Sequence, residues 1–424
     1  MANLYSQNYQ IDFAGTGASI LVDSVKIENL TQGISLTLNG IDTLQLTHTT
    51  GVHNLDFENE ILEVYPNPLT DQTELTFITK ESGNVLVAIY DQSGRTVIQS
   101  GKLLQPGKHK YIVSGLKQGT YVVKIVGHNF QYSAKLISLN SNNGTERIYY
   151  TAFKNLQTMQ PEKKQFKDIC SRISMPYSNG DRLKFTGTSD IYSTILIDIP
   201  TKDTTLTFNF IPCTDYDNHN YPTVQIGTQV WMAENLKTRH YTDGTSLIDG
   251  DDPSTGWLSD FTKYYVAYNS DVIYVKTYGL LYTWTAAMNG LASSNSIPSG
   301  VQGVCPSGWH LPSDGEWQLV INYLGGEGVA GGKMKTTGTI ETYDGLWHIP
   351  NTDATNQSGF SALPGGYRSY FYNDLGFRAA FWTSNTDIIN SFPVSYWLYW
   401  GSTEVLPSNC CNESHAFSVR CIKD

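Results

Sequence analysis

The stretch that most limits what this chain folds into is Cys305-Pro-Ser-Gly-Trp-His-Leu-Pro-Ser-Asp-Gly-Glu-Trp317. It reads as a rigid, strand-like entry running into the start of a helix. Ser313 supplies the N-cap, and Glu316, three residues on, completes a capping box in which side chains and backbone amides satisfy one another. Trp317, Val320, Ile321 and Leu324 then recur at i, i+3, i+4 and i+7, which makes one apolar face. Gly325-Gly326 ends the helix where a left-handed residue is wanted. So short a helix is unstable alone and must dock. The aromatic strands that follow it, up to Asp424, are the surfaces on offer.

Composition says what kind of protein surrounds this helix. Charged residues make up 16% of the chain, well under the roughly 25% usual for soluble proteins. Tyr (27), Gly (37) and abundant Thr, Ser and Asn take their place, the palette of extracellular β-proteins. The net charge of −11 and the absence of a basic run argue against binding nucleic acid. No window is long and apolar enough to span a membrane. Met1 to Gln7 carries neither a basic n-region nor an apolar h-region, which fits either a cytosolic protein or a secreted mature form with a starting Met added, and the composition favours the second. Six cysteines bear on the same point. Cys305 and Cys421 flank the C-terminal region like a long-range staple, which suits an oxidising compartment. Six thiols allow many pairings, and buried free thiols are the alternative that a reducing and non-reducing mass comparison separates.

The 424 residues correspond to roughly two to four domains of about 100–200 residues. Residues 1–50 alternate as short strands, Ile20 to Ile27 and Ile34 to Leu38 before the Asn39-Gly40 turn. Phe13-Ala-Gly-Thr16 and Ser35-Leu-Thr-Leu-Asn39 echo Phe185-Thr-Gly-Thr188 and Thr205-Leu-Thr-Phe-Asn209. Residues 1–50 and 181–212 are therefore read as pairing into one sandwich around an inserted module. Residues 51–60 are an acidic linker. Residues 61–139 hold strands at Glu74–Ile78, Val85–Tyr90, Arg95–Ile98, Tyr111–Val113 and Tyr121–Val126, with turns at Ser93-Gly94, Pro106-Gly107 and Gln118-Gly119. That spacing is that of a small sandwich. Val64-Tyr-Pro-Asn-Pro68, Ile89-Tyr-Asp-Gln-Ser-Gly94 and Gly119-Thr-Tyr-Val-Val-Lys124 resemble the type A sorting domain of type IX secretion. In that family the domain is C-terminal and cleaved after export. Here it is internal, and the reading is a retained sandwich module. Residues 140–180 are expected to be irregular surface chain, before strands resume up to residue 212.

Residues 213–424 carry Asn220 to Leu236, Cys305 to Ser313, Gly359 to Arg368, Phe381-Trp-Thr-Ser384 and Phe417-Ser-Val-Arg-Cys421. Together these resemble the Fibrobacter succinogenes major paralogous domain, a family similar to C-type lectin-like and formylglycine-generating-enzyme-like folds. The resemblance implies two helices on a small twisted sheet with long loops. A first helix is expected at Leu280–Asn289, where Leu281, Trp284 and Met288 share a face. The fold class is thus mainly β with a C-terminal α+β module, sandwich modules leading to a C-type lectin-like domain.

Catalytic chemistry finds little support. The related sulfatase-activating enzymes use a spaced cysteine pair, whereas Cys410 and Cys411 are adjacent. With Glu413 and His415 they make a small set of soft-metal ligands that fits no standard zinc spacing. Asp215-Tyr-Asp-Asn-His219 suggests a calcium loop but lacks its glycine and its bidentate Glu, so a turn is expected, and Asp249-Gly-Asp-Asp252 reads as a solvated loop. No phosphate cradle, serine elbow or zinc-protease helix is present. Neither a metal nor a cofactor is called for. His310, between Trp309 and Leu311, reads as a satisfied structural histidine.

Binding is the stronger reading. Tyr370-Phe-Tyr-Asn-Asp374 and Tyr396-Trp-Leu-Tyr-Trp400 bring seven aromatics into two short stretches. Alternate residues of a strand point apart, so about half of them should reach solvent. Exposed Tyr and Trp with Ser and Asn make a paratope-like surface. The expected ligand-binding residues are Tyr370, Tyr372, Asn373, Asp374, Trp397, Tyr399, Glu404, Asn409 and Asn412. The expected function is a secreted or outer-surface binding protein, non-catalytic, whose head takes a glycan or protein ligand. A structural filament subunit that self-associates and a metal- or thiol-dependent enzyme are the rivals.

Overall fold

The computed structural model describes residues 8–48, 62–79, 83–91, 95–127, 130–139, 145–155, 171–252, 262–342, 344–409 and 414–424. The chain folds as two compact units, one from residues 1–49 with 170–424 and one from residues 50–169.

In the first unit a β-sandwich is built from chain on both sides of the second unit. Its smaller sheet runs Arg172–Tyr177, Thr43–His48, Tyr9–Gly17, Thr204–Phe210. Two of its three contacts are parallel: Ile11 lies opposite Thr204, and Arg172 opposite Thr43. Facing it, Ile34–Asn39, Ser24–Asn29, Leu183–Ser189 and Tyr192–Asp198 are joined antiparallel, with Phe185 opposite Ile27. Period-two alternation accounts for these strands: Ser24–Asn29 and Leu183–Ser189 bury every second residue. Ile11, Ile27, Leu44, Leu46, Phe185 and Phe208 meet in the core between the sheets. Gly187 is required there, because a Cβ at that position would stand 2.5 Å from the Phe208 ring.

The larger sheet does not stop at the sandwich. Tyr192–Asp198 pairs in parallel with Thr223–Ile226, which turns into Gln229–Met232 and is followed by Ile422–Lys423 and Trp309–His310. This seam carries the chain into the C-terminal head. Among its described residues the head has four short α-helices: α1 Val275–Tyr278, α2 Trp284–Met288, α3 Asp314–Tyr323 and α4 Glu327–Met334. Its nine-stranded sheet runs Ile248–Asp249, Tyr264–Val266, Leu281–Thr283, Ala416–Phe417, Gly365–Arg368, Arg378–Thr386, Pro393–Tyr399, Val405–Ser408, with Tyr372–Leu375 hairpinned onto Gly365–Arg368.

The capped helix is α3. Ser313 Oγ accepts from the Glu316 amide and Glu316 returns a bond to the Ser313 amide. Trp317, Val320 and Ile321 are buried, and Gly325 and Gly326 take φ of 104° and 97°. The helix expected at Leu280–Asn289 starts later. Leu281–Thr283 is spent on strand pairing with Tyr264–Val266 and Ala416–Phe417, and the Thr283 side chain then caps a five-residue α2. The segment 140–180, expected to be irregular, contributes Arg147–Asn155 and Arg172–Tyr177 to sheets. The Cys305–Cys421 bond is formed, joining the segment before α3 to the strand Ile422–Lys423. Cys213 is a buried free thiol, pushed well up from its ordinary pKa by burial and then by Asp215.

The second unit is a sandwich of two four-stranded sheets. One is Phe130–Ser138, Gly119–Gly127, Gly83–Tyr90, Thr96–Leu104, and the other is Arg147–Asn155, Gly107–Ser114, Gln72–Thr79, Glu63–Tyr65. Leu75, Phe77, Val87, Tyr111, Val123 and Leu136 close its core. No helix among the described residues is long and apolar enough to cross a membrane.

Candidate ligand-binding face

The strand Pro393–Tyr399 organises the head, and both of its sides are covered. Tyr396 stacks on Trp317 of α3 at 4.8 Å, donates to Asp314 Oδ1 at 2.6 Å and accepts from Gln318 Nε2 at 2.8 Å. On the opposite side Trp397 meets Phe417 at 5.5 Å and Tyr367 at 5.5 Å, and its Nε1 donates to Ser395 Oγ at 2.6 Å. Trp397, expected in solvent, is 6% exposed and belongs to the core. The alternation argument fails here because this sheet packs α3 on one face and a second aromatic cluster on the other.

Where that strand ends, an arginine gathers the half-buried rings. The Arg378 guanidinium carbon lies 4.4 Å from the Trp397 ring, 4.6 Å from Tyr399 and 5.3 Å from Tyr367. Its Nη2 faces Asp374 Oδ2 at 3.2 Å. Three cation–π contacts fix the guanidinium plane. Arg378 sits at this spot because it starts the strand opposite Tyr399. Asp374 reaches it from the hairpin Gly365–Arg368/Tyr372–Leu375, whose turn is Ser369–Phe371. Gly366 makes the hairpin possible: it has φ of 63°, and a Cβ there would stand 2.3 Å from Asn373 O and 2.7 Å from the Tyr268 ring.

The other side of the same hairpin holds a second arginine. Arg368 lies over Tyr264 at 5.5 Å and Tyr372 at 5.6 Å. Tyr372 donates its hydroxyl to Asp251 Oδ1, which also accepts from Ser270 Oγ at 2.8 Å, while Ala267 N donates to Asp251 Oδ2 at 2.6 Å. Burial, then the Asp251 carboxylate, pushes the Tyr372 hydroxyl above its ordinary range. Asp251, read from sequence as part of a solvated loop, thus anchors the chain at Ala267–Ser270.

The structure therefore brings Asp374, Trp397 and Tyr399 together around Arg378, and seats Tyr372 and Asn373 on the same hairpin. Asn373 Nδ2 is spent on Phe371 O and Ser369 Oγ. Tyr370 is 86% and Phe371 78% exposed at the hairpin tip. Glu404 lies elsewhere, its backbone against Gly331 of α4. Asn409 lines a different groove of about 370 Å³ with Asn295, Asp314, Asn385 and Asp387. Asn412, like Cys410, Cys411 and Glu413, lies outside the described residues. Sequence reasoning missed Arg368, Arg378 and Tyr367. Arg378 offered no local signal, since its i,i+4 spacing from Asp374 marks a pair on a helix and these residues lie on strands.

Two other polar groups are closed in on themselves. Asp215, Asp217 and His219 bring ligand atoms within 4.8 Å of one another and could hold a cation. Asp215 Oδ2 accepts from Tyr221 and pairs with His219 Nδ1 at 3.0 Å, and Asp217 pairs with His240 Nδ1 at 2.6 Å. Burial would raise the Asp217 carboxyl, but the Arg239 amide and then His240 hold it below the usual range. His310 is buried between Glu316 Oε1 at 2.8 Å and Asp424 Oδ1 at 2.7 Å.

The chain has no significant match among curated proteins or among solved structures. Two family models do match it. The secretion system C-terminal sorting domain covers residues 63–139, all but the last strand of the second unit's sandwich, and indicates a protein that is secreted or held on the outer cell surface through type IX secretion. The other, the Fibrobacter succinogenes major domain, covers 224–423, almost the whole head including the Arg378 face, so the head matches that domain family and residues 63–139 match the sorting domain.

Proposed function

We propose that this secreted or surface protein is a non-catalytic binding protein whose lectin-like head takes a glycan on the hairpin Gly365–Leu375 and the Arg378 cluster beside it. The observation that carries the reading is Tyr370 and Phe371 at the hairpin tip, 86% and 78% exposed. Large aromatic rings held out by a tight turn lose little entropy when they close on a ligand. Half-buried Tyr367 and Tyr399 continue the aromatic surface, and Asp374 adds a hydrogen-bond acceptor. The test is a glycan and protein array probed with the full chain and with a Tyr370→Ala/Phe371→Ala variant. The variant should melt as the parent does and lose roughly tenfold or more of the binding, as hot-spot aromatics do. Unchanged binding by the double variant sinks this face, and capture of proteins alone sinks the glycan.

A second reading, a self-associating structural subunit, is favoured by one feature. Ile388 and Ile389 are 98% and 89% exposed in the turn before Pro393–Tyr399. Light scattering that grows with concentration and disappears in Ile388→Ser/Ile389→Ser would support that role.

A further inference from the structure

The head contains a buried arginine that shows what a purely structural one looks like. Arg420 donates to Asn235 Oδ1 at 2.6 Å, Met232 O at 2.9 Å, Phe360 O at 2.7 Å and Ser361 O at 3.1 Å. Its donors are consumed by the fold. Arg378 differs. Three rings pin it, yet its guanidinium donates no hydrogen bond to any described residue, and the shielded Nε has no acceptor among them. Among the described residues its ion-pair partner is Asp374. A guanidinium held in place and short of acceptors is costly in a folded protein; with Nε sealed from solvent, what an oxyanion can meet is the part of the side chain that stays exposed, 18% of it. The chain's net charge of −11 excludes a general attraction for polyanions, so any preference for acidic ligands must be local.

From this we infer that Arg378 reads a carboxylate or sulfate group on the ligand, so that the head selects acidic over neutral saccharides. The inference rests on the glycan-binding reading above. Tyr370 and Phe371, exposed at the hairpin tip, offer ring faces to the sugar, while Arg378 takes the oxyanion and Asp374 accepts from a neighbouring hydroxyl. Asp374 also keeps the unliganded arginine partly neutralised and sets a threshold that a weak acceptor such as an uncharged hydroxyl does not pass.

The experiment measures binding of the full chain to polygalacturonate, dextran sulfate, unsubstituted dextran and poly-glutamate, with the parent and with Arg378→Gln. The parent should bind at least one of the two acidic polysaccharides tenfold or more tighter than dextran. Whichever it prefers identifies the oxyanion. Arg378→Gln should lose that preference while keeping its melting temperature. Where Gln unsettles the three rings, Arg378→Lys keeps the charge, and its acidic preference should be reduced but not lost. Equal affinity for dextran, or an unaltered preference in a folded Arg378→Gln, overturns the inference and leaves glycan binding standing. No binding to any saccharide overturns both. Preference for poly-glutamate overturns the saccharide assignment.

Discussion

His310 shows how a single side chain ties the head together. Burial alone would lower its pKa, but its hydrogen bonds to Glu316 and Asp424 outweigh that and raise it. A raised histidine contributes stability in full below its ordinary value of about 6.5, and that contribution is lost as pH rises through the folded value. Melting temperature should therefore fall as pH is raised above about 6.5, and His310→Gln should flatten that slope. A parent whose melting temperature does not respond to pH there would refute the pairing. The Cys305–Cys421 bond closes a separation of 116 residues. Its removal in Cys305→Ala/Cys421→Ala should cost about 2–5 kcal/mol by denaturant unfolding. From sequence, His310 reads as a satisfied residue and Cys305 and Cys421 as flanking staples. The partner Asp424, 114 residues from His310, is not readable, because local pattern carries no information on which distant acceptor closes a bond.

At the scale of elements, the capped helix α3 is the feature most legible in sequence, since its cap, apolar stripe and glycine stop all act within a few residues. The strand Pro393–Tyr399 is the opposite case. Strand alternation predicts about half of its aromatics in solvent, whereas six of its seven residues are buried. A sheet with one covered face and a sheet with two differ only in what packs above them, which no local period records. Trp397→Ala should accordingly cost about 3–5 kcal/mol, the range for emptying an aromatic site in a core. Tyr370→Ala, at the hairpin tip, should stay within about 0.5 kcal/mol of the parent. Chemical denaturation of both variants checks this, and a stable Trp397→Ala would return that ring to the surface. The misplaced start of α2 has a similar origin: Leu281 and Trp284 suit a helical face, but strand partners claimed residues 281–283 first.

For the whole molecule, the decisive fact is that strands from residues 9–48 and 172–210 share one core. Residues 50–169 should therefore be replaceable by a linker without unfolding the rest. Thr43–His48 and Arg172–Tyr177 run parallel, so the linker must travel back along a strand, about 17 Å for five residues at roughly 3.3 Å each. The shortened chain should keep a single cooperative melt. Deleting residues 8–48 should abolish it, since that removes Ile11, Val25, Ile27, Leu44 and Leu46 from the core. A cooperative melt in the second deletion and none in the first would reverse this account.

The mainly β class and the capped helix follow from the sequence by itself, because composition, turn chemistry and short-range periodicity act locally along the chain; the sorting-type module and the head's family are legible there through the resemblance of their motifs. Only the tertiary structure decided that Trp397 lies inside, that Arg378 gathers Tyr367, Trp397 and Tyr399, and that Glu404 and Asn409 stand apart from them. Those outcomes depend on which strands become neighbours, and that is settled by burying apolar area between segments far apart in the chain.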